Sequence, residues 1–116
     1  MKIRIKGNSL RYRLTKSDVD KFSANGYIEE TTDFGVQTFT YALQKNRLNN
    51  LSAMFEKNKI TLFMPEFMAV EWVETESVGF EYQYNSLYLL VEKDFKYLDN
   101  VAEDQSDNYP NPLGTG

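Results

Sequence analysis

The sequence predicts an α+β domain, built as a tandem ββαββ duplication that forms a curved antiparallel sheet or an eight-stranded barrel with two short helices. Three observations lead there. Apolar and charged residues alternate in short runs separated by turn residues, only two stretches carry helical spacing, and the order of runs repeats after about fifty residues. With 116 residues, 41% apolar and 26% charged, the chain can bury one modest core.

Taken in order, Ile3 and Ile5 alternate with charges, Gly7-Asn8-Ser9 supplies turn chemistry, and Leu10, Tyr12 and Leu14 alternate with Arg11 and Arg13. This is the pattern of a β-hairpin with one buried face. Thr15 reads as a helix N-cap with Asp18 as its capping-box partner, Val19 and Phe22 give the apolar face, and Gly26 ends the helix. Residues 27–31 and 36–43 read as two strands around Asp33-Phe34-Gly35. The second half repeats the order. Strands over 51–55 and 60–64 flank Lys57-Asn58-Lys59, and Pro65 stands where a helix takes its first residue. A short apolar helix then covers 67–73, and strands over 78–84 and 87–93 close around Asn85-Ser86.

At an offset of 50, Ile5 meets Phe55, Asn8 meets Asn58, Leu10 meets Ile60, Tyr12 meets Leu62, Leu14 meets Met64 and Phe22 meets Trp72. At an offset of 48, Phe39, Tyr41, Leu43 and Lys45 meet Leu87, Leu89, Val91 and Lys93. These matches divide a single domain over 1–98 into pseudo-repeats of about 1–48 and 49–98. Residues 99–116 form an acidic tail, expected to be flexible, with Asp99, Glu103, Asp104 and Asp107 and no basic partner. A pseudo-twofold barrel would leave no sheet edge exposed, which favours closure.

The absence of cysteine and histidine removes disulfides, Cys/His zinc sites, cysteine nucleophiles and triads with a His base. No Gly-rich loop leads into Lys-Ser/Thr, so a Walker-type nucleotide site is excluded. The opening residues put a charge at every second position, and no later run reaches the roughly 20 apolar residues of a membrane span. A cytoplasmic protein with no membrane partner is expected.

The net charge of −4 hides an asymmetry. Within residues 1–21, seven basic side chains stand against Asp18 and Asp20. Alternation puts Lys2, Arg4, Lys6, Arg11 and Arg13 on one face of the first hairpin, opposite the apolar residues. Such a stripe can receive a phosphate, a carboxylate-rich ligand or an acidic protein segment, because guanidinium groups contact such oxygens in pairs; more ordinarily, charged outward residues on half-buried antiparallel strands form a solvated sheet face. The corresponding face of the second half carries apolar Phe63, Tyr88 and Leu90 instead, which suggests a cover, or an interface with a partner or a second copy.

Glu29, Glu81, Glu92 and Asp94 fall on strands, where a divalent cation such as Mg or Mn is chemically possible, although their spacing does not specify a metal site. Acidic residues at a strand end are ordinarily solvated. Nucleic acid is not expected, because alternation turns Tyr12 to the core, away from its flanking arginines. The acidic tail is also placed to fold back onto the basic stripe.

The opening Met1-Lys2-Ile3-Arg4-Ile5-Lys6-Gly7-Asn8-Ser9, the run Phe39-Thr40-Tyr41-Ala42-Leu43, the run Val91-Glu92-Lys93-Asp94-Phe95 and the segment 103–112 together resemble an uncharacterised family of small bacterial proteins. That resemblance covers nearly the whole chain and implies a bacterial cytoplasmic origin, with no catalytic residues to carry over. A second, architectural likeness is to the CYTH-like triphosphate-tunnel phosphatases, whose barrel duplicates a β/α unit and encloses basic residues and metal-binding carboxylates. This chain carries Lys2-Ile3-Arg4-Ile5-Lys6 where that family has Glu-x-Glu-x-Lys. The likeness implies that Glu92, Asp94 and Glu29 or Glu81 would face Arg4, Arg11 and Arg13 across a lumen, with Mg or Mn as cofactor. The residues themselves favour a binding module without a cofactor, with triphosphate hydrolysis and a structural or homodimeric role as the alternatives.

Overall fold

The computed structural model describes residues 1–95 together with Asp107, Tyr109 and Pro110. Asp99, Glu103 and Asp104 lie outside the described residues. In chain order the elements are β1 (Lys2–Lys6), β2 (Ser9–Leu14), α1 (Lys16–Asn25), β3 (Tyr27–Asp33), β4 (Thr38–Asn46), β5 (Ser52–Glu56), β6 (Lys59–Pro65), α2 (Glu66–Glu74), β7 (Gly79–Tyr84) and β8 (Leu87–Lys93).

Among the described residues, two helices and eight strands form as the periodicity requires, but the strands make two separate four-stranded sheets. Sheet one has the order β1-β2-β8-β7 and sheet two the order β3-β4-β6-β5. Neither the single antiparallel sheet nor the closed barrel is formed. Each helix carries the chain from one sheet to the other, so each sheet takes one hairpin from each half. The hairpins meet through parallel central pairs, β2 with β8 and β4 with β6. A hairpin turn dictates antiparallel pairing, whereas a parallel pair needs a crossover. Alternation along a strand carries no information about which distant strand lies beside it.

The two parallel pairs have corresponding registers. Ser9 lies opposite Tyr88 and Leu14 opposite Lys93; Lys59 lies opposite Thr40 and Met64 opposite Lys45. These are the residues that offsets of 50 and 48 bring into correspondence.

The inward sides of both sheets build one core. Leu10, Tyr12, Leu14, Leu89 and Val91 of sheet one pack with Leu43, Leu62 and Met64 of sheet two. The helices add Val19, Phe22, Ala69 and Trp72. Phe22 and Trp72 meet edge to face at 6.4 Å, and the buried Trp72 indole satisfies its N–H by donating to the Val78 carbonyl at 3.0 Å. Where β7 joins β8, a side chain at Gly79 would place its Cβ 2.0 Å from the Val91 carbonyl oxygen, so the close approach of these strands requires glycine.

Helix α1 has the boundaries its sequence dictates. The Thr15 hydroxyl accepts from the Asp18 backbone N–H, the Asp18 carboxylate accepts from the Thr15 N–H, and Gly26 at φ 73° lets its own N–H reach the Phe22 carbonyl. Pro65, expected as the first helical residue, is instead the N-cap of α2 and the last residue of β6. Neither helix carries a basic residue in its last turn. A strand supplies the cation at each: Lys45 Nζ donates to the Ser23 carbonyl at 2.9 Å, and Lys93 Nζ to the Thr75 carbonyl at 3.1 Å. Both ammonium groups thus meet the negative end of a helix dipole. Burial pushes the Lys93 pKa down. Among the described residues, no helix is long and apolar enough to cross a membrane.

Candidate functional site

The five basic residues of the first hairpin share the outer face of sheet one. Hairpin register sets Lys2 opposite Arg13, Arg4 opposite Arg11 and Lys6 opposite Ser9. Their apolar neighbours Leu10, Tyr12 and Leu14 are buried, which holds the cations outward. The parallel partner β8 extends each row: Glu92 stands beside Arg13, Leu90 beside Arg11 and Tyr88 beside Ser9. Beyond them, Glu81 of β7 stands beside Leu90.

This arrangement unites residues that the sequence kept apart. Arg4, Lys6 and Arg11 line a shallow hollow of about 180 Å³ whose remaining wall includes Ser9, Tyr88 and Leu90. Tyr88 and Leu90 therefore belong to the basic site. Phe63, expected to share an interface with them, lies on β6 in sheet two. Two of the three residues of the expected apolar surface thus line a charged hollow instead. No feature within β8 reveals this, since it depends on which strand β8 pairs with.

Charge on this face is partly balanced. Arg13 Nε donates to Glu92 Oε1 at 2.9 Å, and Arg11 Nε lies 3.6 Å from the same oxygen. Lys2 Nζ lies 3.3 Å from Asp94 Oδ2. Arg4 and Lys6 make no ion pair among the described residues. The Tyr88 hydroxyl donates to Glu81, and holding that hydrogen against the carboxylate raises the Tyr88 pKa above its ordinary value. The Tyr88 hydrogen is thereby committed to Glu81, as the Ser9 hydroxyl hydrogen is to the Lys6 carbonyl at 2.6 Å, which leaves Arg4, Lys6 and the Arg11 shared with Glu92 as the groups here capable of charge-assisted hydrogen bonds to an anion.

The four candidate metal ligands are not gathered. Glu92 is engaged by the arginines, and Glu81 by Tyr88. Glu29 sits on β3 in sheet two, where it accepts from the Tyr27 hydroxyl at 2.7 Å. Asp94 follows β8 and is 2% exposed, contrary to the solvated position expected of it; its N–H donates to the Leu14 carbonyl and its carbonyl accepts from Tyr109. Among the described residues, no three acidic side chains converge where they could share an ion. The lumen implied by the triphosphate-tunnel likeness is not formed either, because the sheets do not close.

Asp107 of the tail returns to the domain, though not to the basic stripe. It binds the start of α1, accepting from the Ser17 hydroxyl at 2.5 Å, while its carbonyl accepts from the Lys16 N–H at 3.2 Å. Tyr109 packs edge-on against Phe95 at 5.7 Å and under the Lys93 ammonium at 5.2 Å.

The fold and this face define a small two-sheet α+β domain with a basic, partly neutralised outer surface. The chain belongs to DUF7009, a family of unknown function, which it matches over residues 1–113. Comparison with curated proteins and with solved structures gives no match.

Proposed function

We propose that the protein is a binding module whose outer face on sheet one takes an anionic group between Arg4, Lys6 and Arg11. One observation carries this reading: the hollow formed where β2 meets β8 is lined by three cations, two of them without an ion-pair partner among the described residues. Guanidinium groups in such a setting favour phosphate or carboxylate oxygens, and a shallow site exposed to solvent makes their attraction sensitive to salt.

Duplication of a ββαββ unit is part of the same proposal. Its support is the corresponding registers of the two parallel pairs and the equivalent lysines at the two helix ends. On this view the halves kept their apolar positions, while the outward positions of the first hairpin became predominantly basic and those of the second became mixed, with Glu56 and Lys59 beside Ser52, Met54, Thr61 and Phe63.

The test is a thermal-shift titration with tripolyphosphate, with and without Mg or Mn. A ligand at about a hundredfold its Kd, binding the folded state alone, stabilises by about 2.7 kcal/mol, a shift of several degrees for a domain of this size. The expected result is a metal-independent rise that Arg4→Ala and Arg11→Ala each reduce. A rise that requires metal would move the site toward phosphoryl chemistry, and no rise with any of these additions would overturn the anion-binding reading.

A further inference from the structure

We infer that the free edge of β1 takes up an extended peptide strand in which acidic and apolar residues alternate. Its acidic side chains would lie on the basic face and its apolar ones in the cleft between the sheets. The inference rests on the anion-binding reading above and names the class of partner that site would serve.

Backbone direction comes first. The Asn8 carbonyl accepts from the Tyr88 N–H at 3.1 Å and the Leu14 carbonyl from the Asp94 N–H at 2.8 Å, so the even-numbered positions of β2 turn their backbone groups toward β8. Alternation then points Ser9, Arg11 and Arg13 toward β1. Their register partners Lys6, Arg4 and Lys2 bond back to β2, which leaves Ile3 and Ile5 directing N–H and C=O away from the sheet. Among the described residues, β1 is an outer strand with no neighbour on its far side. Its free edge thus offers the donors and acceptors that an added strand would pair with.

The side chains on the two faces of this edge then select the partner. Ile5 points to the apolar side yet is 59% exposed, and Phe55 across from it on β5 is 67% exposed. They flank a cleft of about 200 Å³ between the sheets, backed by Leu10, Ile60 and Leu87. On the other face stand Arg4 and Lys6 of the basic hollow. A strand laid along β1 would present every second side chain to the cleft and the intervening ones to the cations, at the cross-strand distance where opposite charges attract. A second copy of β1 would set cation against cation and is disfavoured. The equivalent edge, β5, turns Ser52, Met54 and Glu56 outward and has no such preference for acids.

The decisive experiment measures binding of a labelled, end-capped peptide of alternating Glu and Val by fluorescence polarisation. A peptide of the same composition with Glu and Val in two blocks is the comparison. Two further versions carry backbone N-methyl groups on the Glu or on the Val positions. The expected result is at least roughly tenfold tighter binding of the alternating peptide than of the blocked one, which is about 1.4 kcal/mol. Methylation of one set should abolish that advantage and methylation of the other should spare it, since alternate N–H groups face β1 and solvent. Ile5→Pro removes a donor on the free edge without touching a bond to β2, and should lose the same advantage while keeping the tripolyphosphate response. Equal binding of the alternating and blocked peptides, with tripolyphosphate still bound through Arg4, would overturn strand addition and leave the anion site standing. Loss of binding by both peptides and by tripolyphosphate would overturn both.

Discussion

Arg11 and Arg13 lean on a single carboxylate, and the consequence for binding can be given a sign. Glu92 holds Arg13 Nε at 2.9 Å and Arg11 Nε at 3.6 Å through one oxygen, on a face otherwise dominated by cations. These side chains are partly solvated, so the pairing adds little to stability; its larger effect is on the potential that an incoming anion meets. Removing the acid while keeping the side chain's shape should therefore strengthen anion binding. Glu92→Gln is expected to lower the Kd for tripolyphosphate by a few fold at low salt, about 0.5–1 kcal/mol, and the gain should shrink as salt is added. Isothermal titration at two salt concentrations checks this; a weaker Kd in the variant would mean that Glu92 serves mainly to orient Arg11. The outward stripe itself was legible in the sequence because alternation along one hairpin is local. Glu92's position beside it was not, because that depends on a partner strand almost eighty residues away.

At the scale of elements, local rules account for much of what forms. The Thr15–Asp18 box and Gly26 bound α1 as the sequence indicates, and the hairpins close where turn residues cluster. Pro65 sits one position before the helix its sequence context suggests, because a proline suits the end of a strand as well as the start of a helix. The start of α1 has a further partner that no local pattern reveals: Asp107, about ninety residues on. The hydrogen bonds from Ser17 and Thr15 hold its pKa below the ordinary 3.8, with Lys16 nearby adding to the effect. A carboxylate whose folded-state pKa is depressed contributes stability that is complete above the unfolded value and is lost as pH falls through the folded one. Asp107→Asn should thus lower the thermal midpoint at about pH 6, and the difference from the unaltered protein should vanish as pH drops well below 4. Parallel melting curves across that range test it. A constant gap at every pH would place the loss in the hydroxyl contacts themselves rather than in the charge.

On the scale of the whole molecule, the architecture follows from how the halves share sheets, which no hydrophobic pattern reports. Each half supplies two hairpins and a helix, yet neither half owns a complete sheet. β2 finds its second neighbour in β8, and β4 in β6. A half on its own would expose the unpaired side of both these strands and the apolar faces that meet in the common core, where Phe22 of one half packs on Trp72 of the other. The net stability of a small domain is only about 5–15 kcal/mol, so losing one of the two strand pairings on every central strand leaves no folded state for an isolated half. The joint between halves, 47–51, passes through exposed Leu48 before the chain re-enters the core at Leu51. Division after Leu48 should therefore give two pieces, 1–48 and 49–116, that show no cooperative unfolding separately. Mixed, they should recover it together with the near-ultraviolet circular dichroism of Trp72, because backbone pairing and core packing are both satisfied only in the complex. A cooperative transition in 1–48 alone would mean that its hairpins can pair with each other, and that the exchange of hairpins between halves is one arrangement among others instead of the one the core requires.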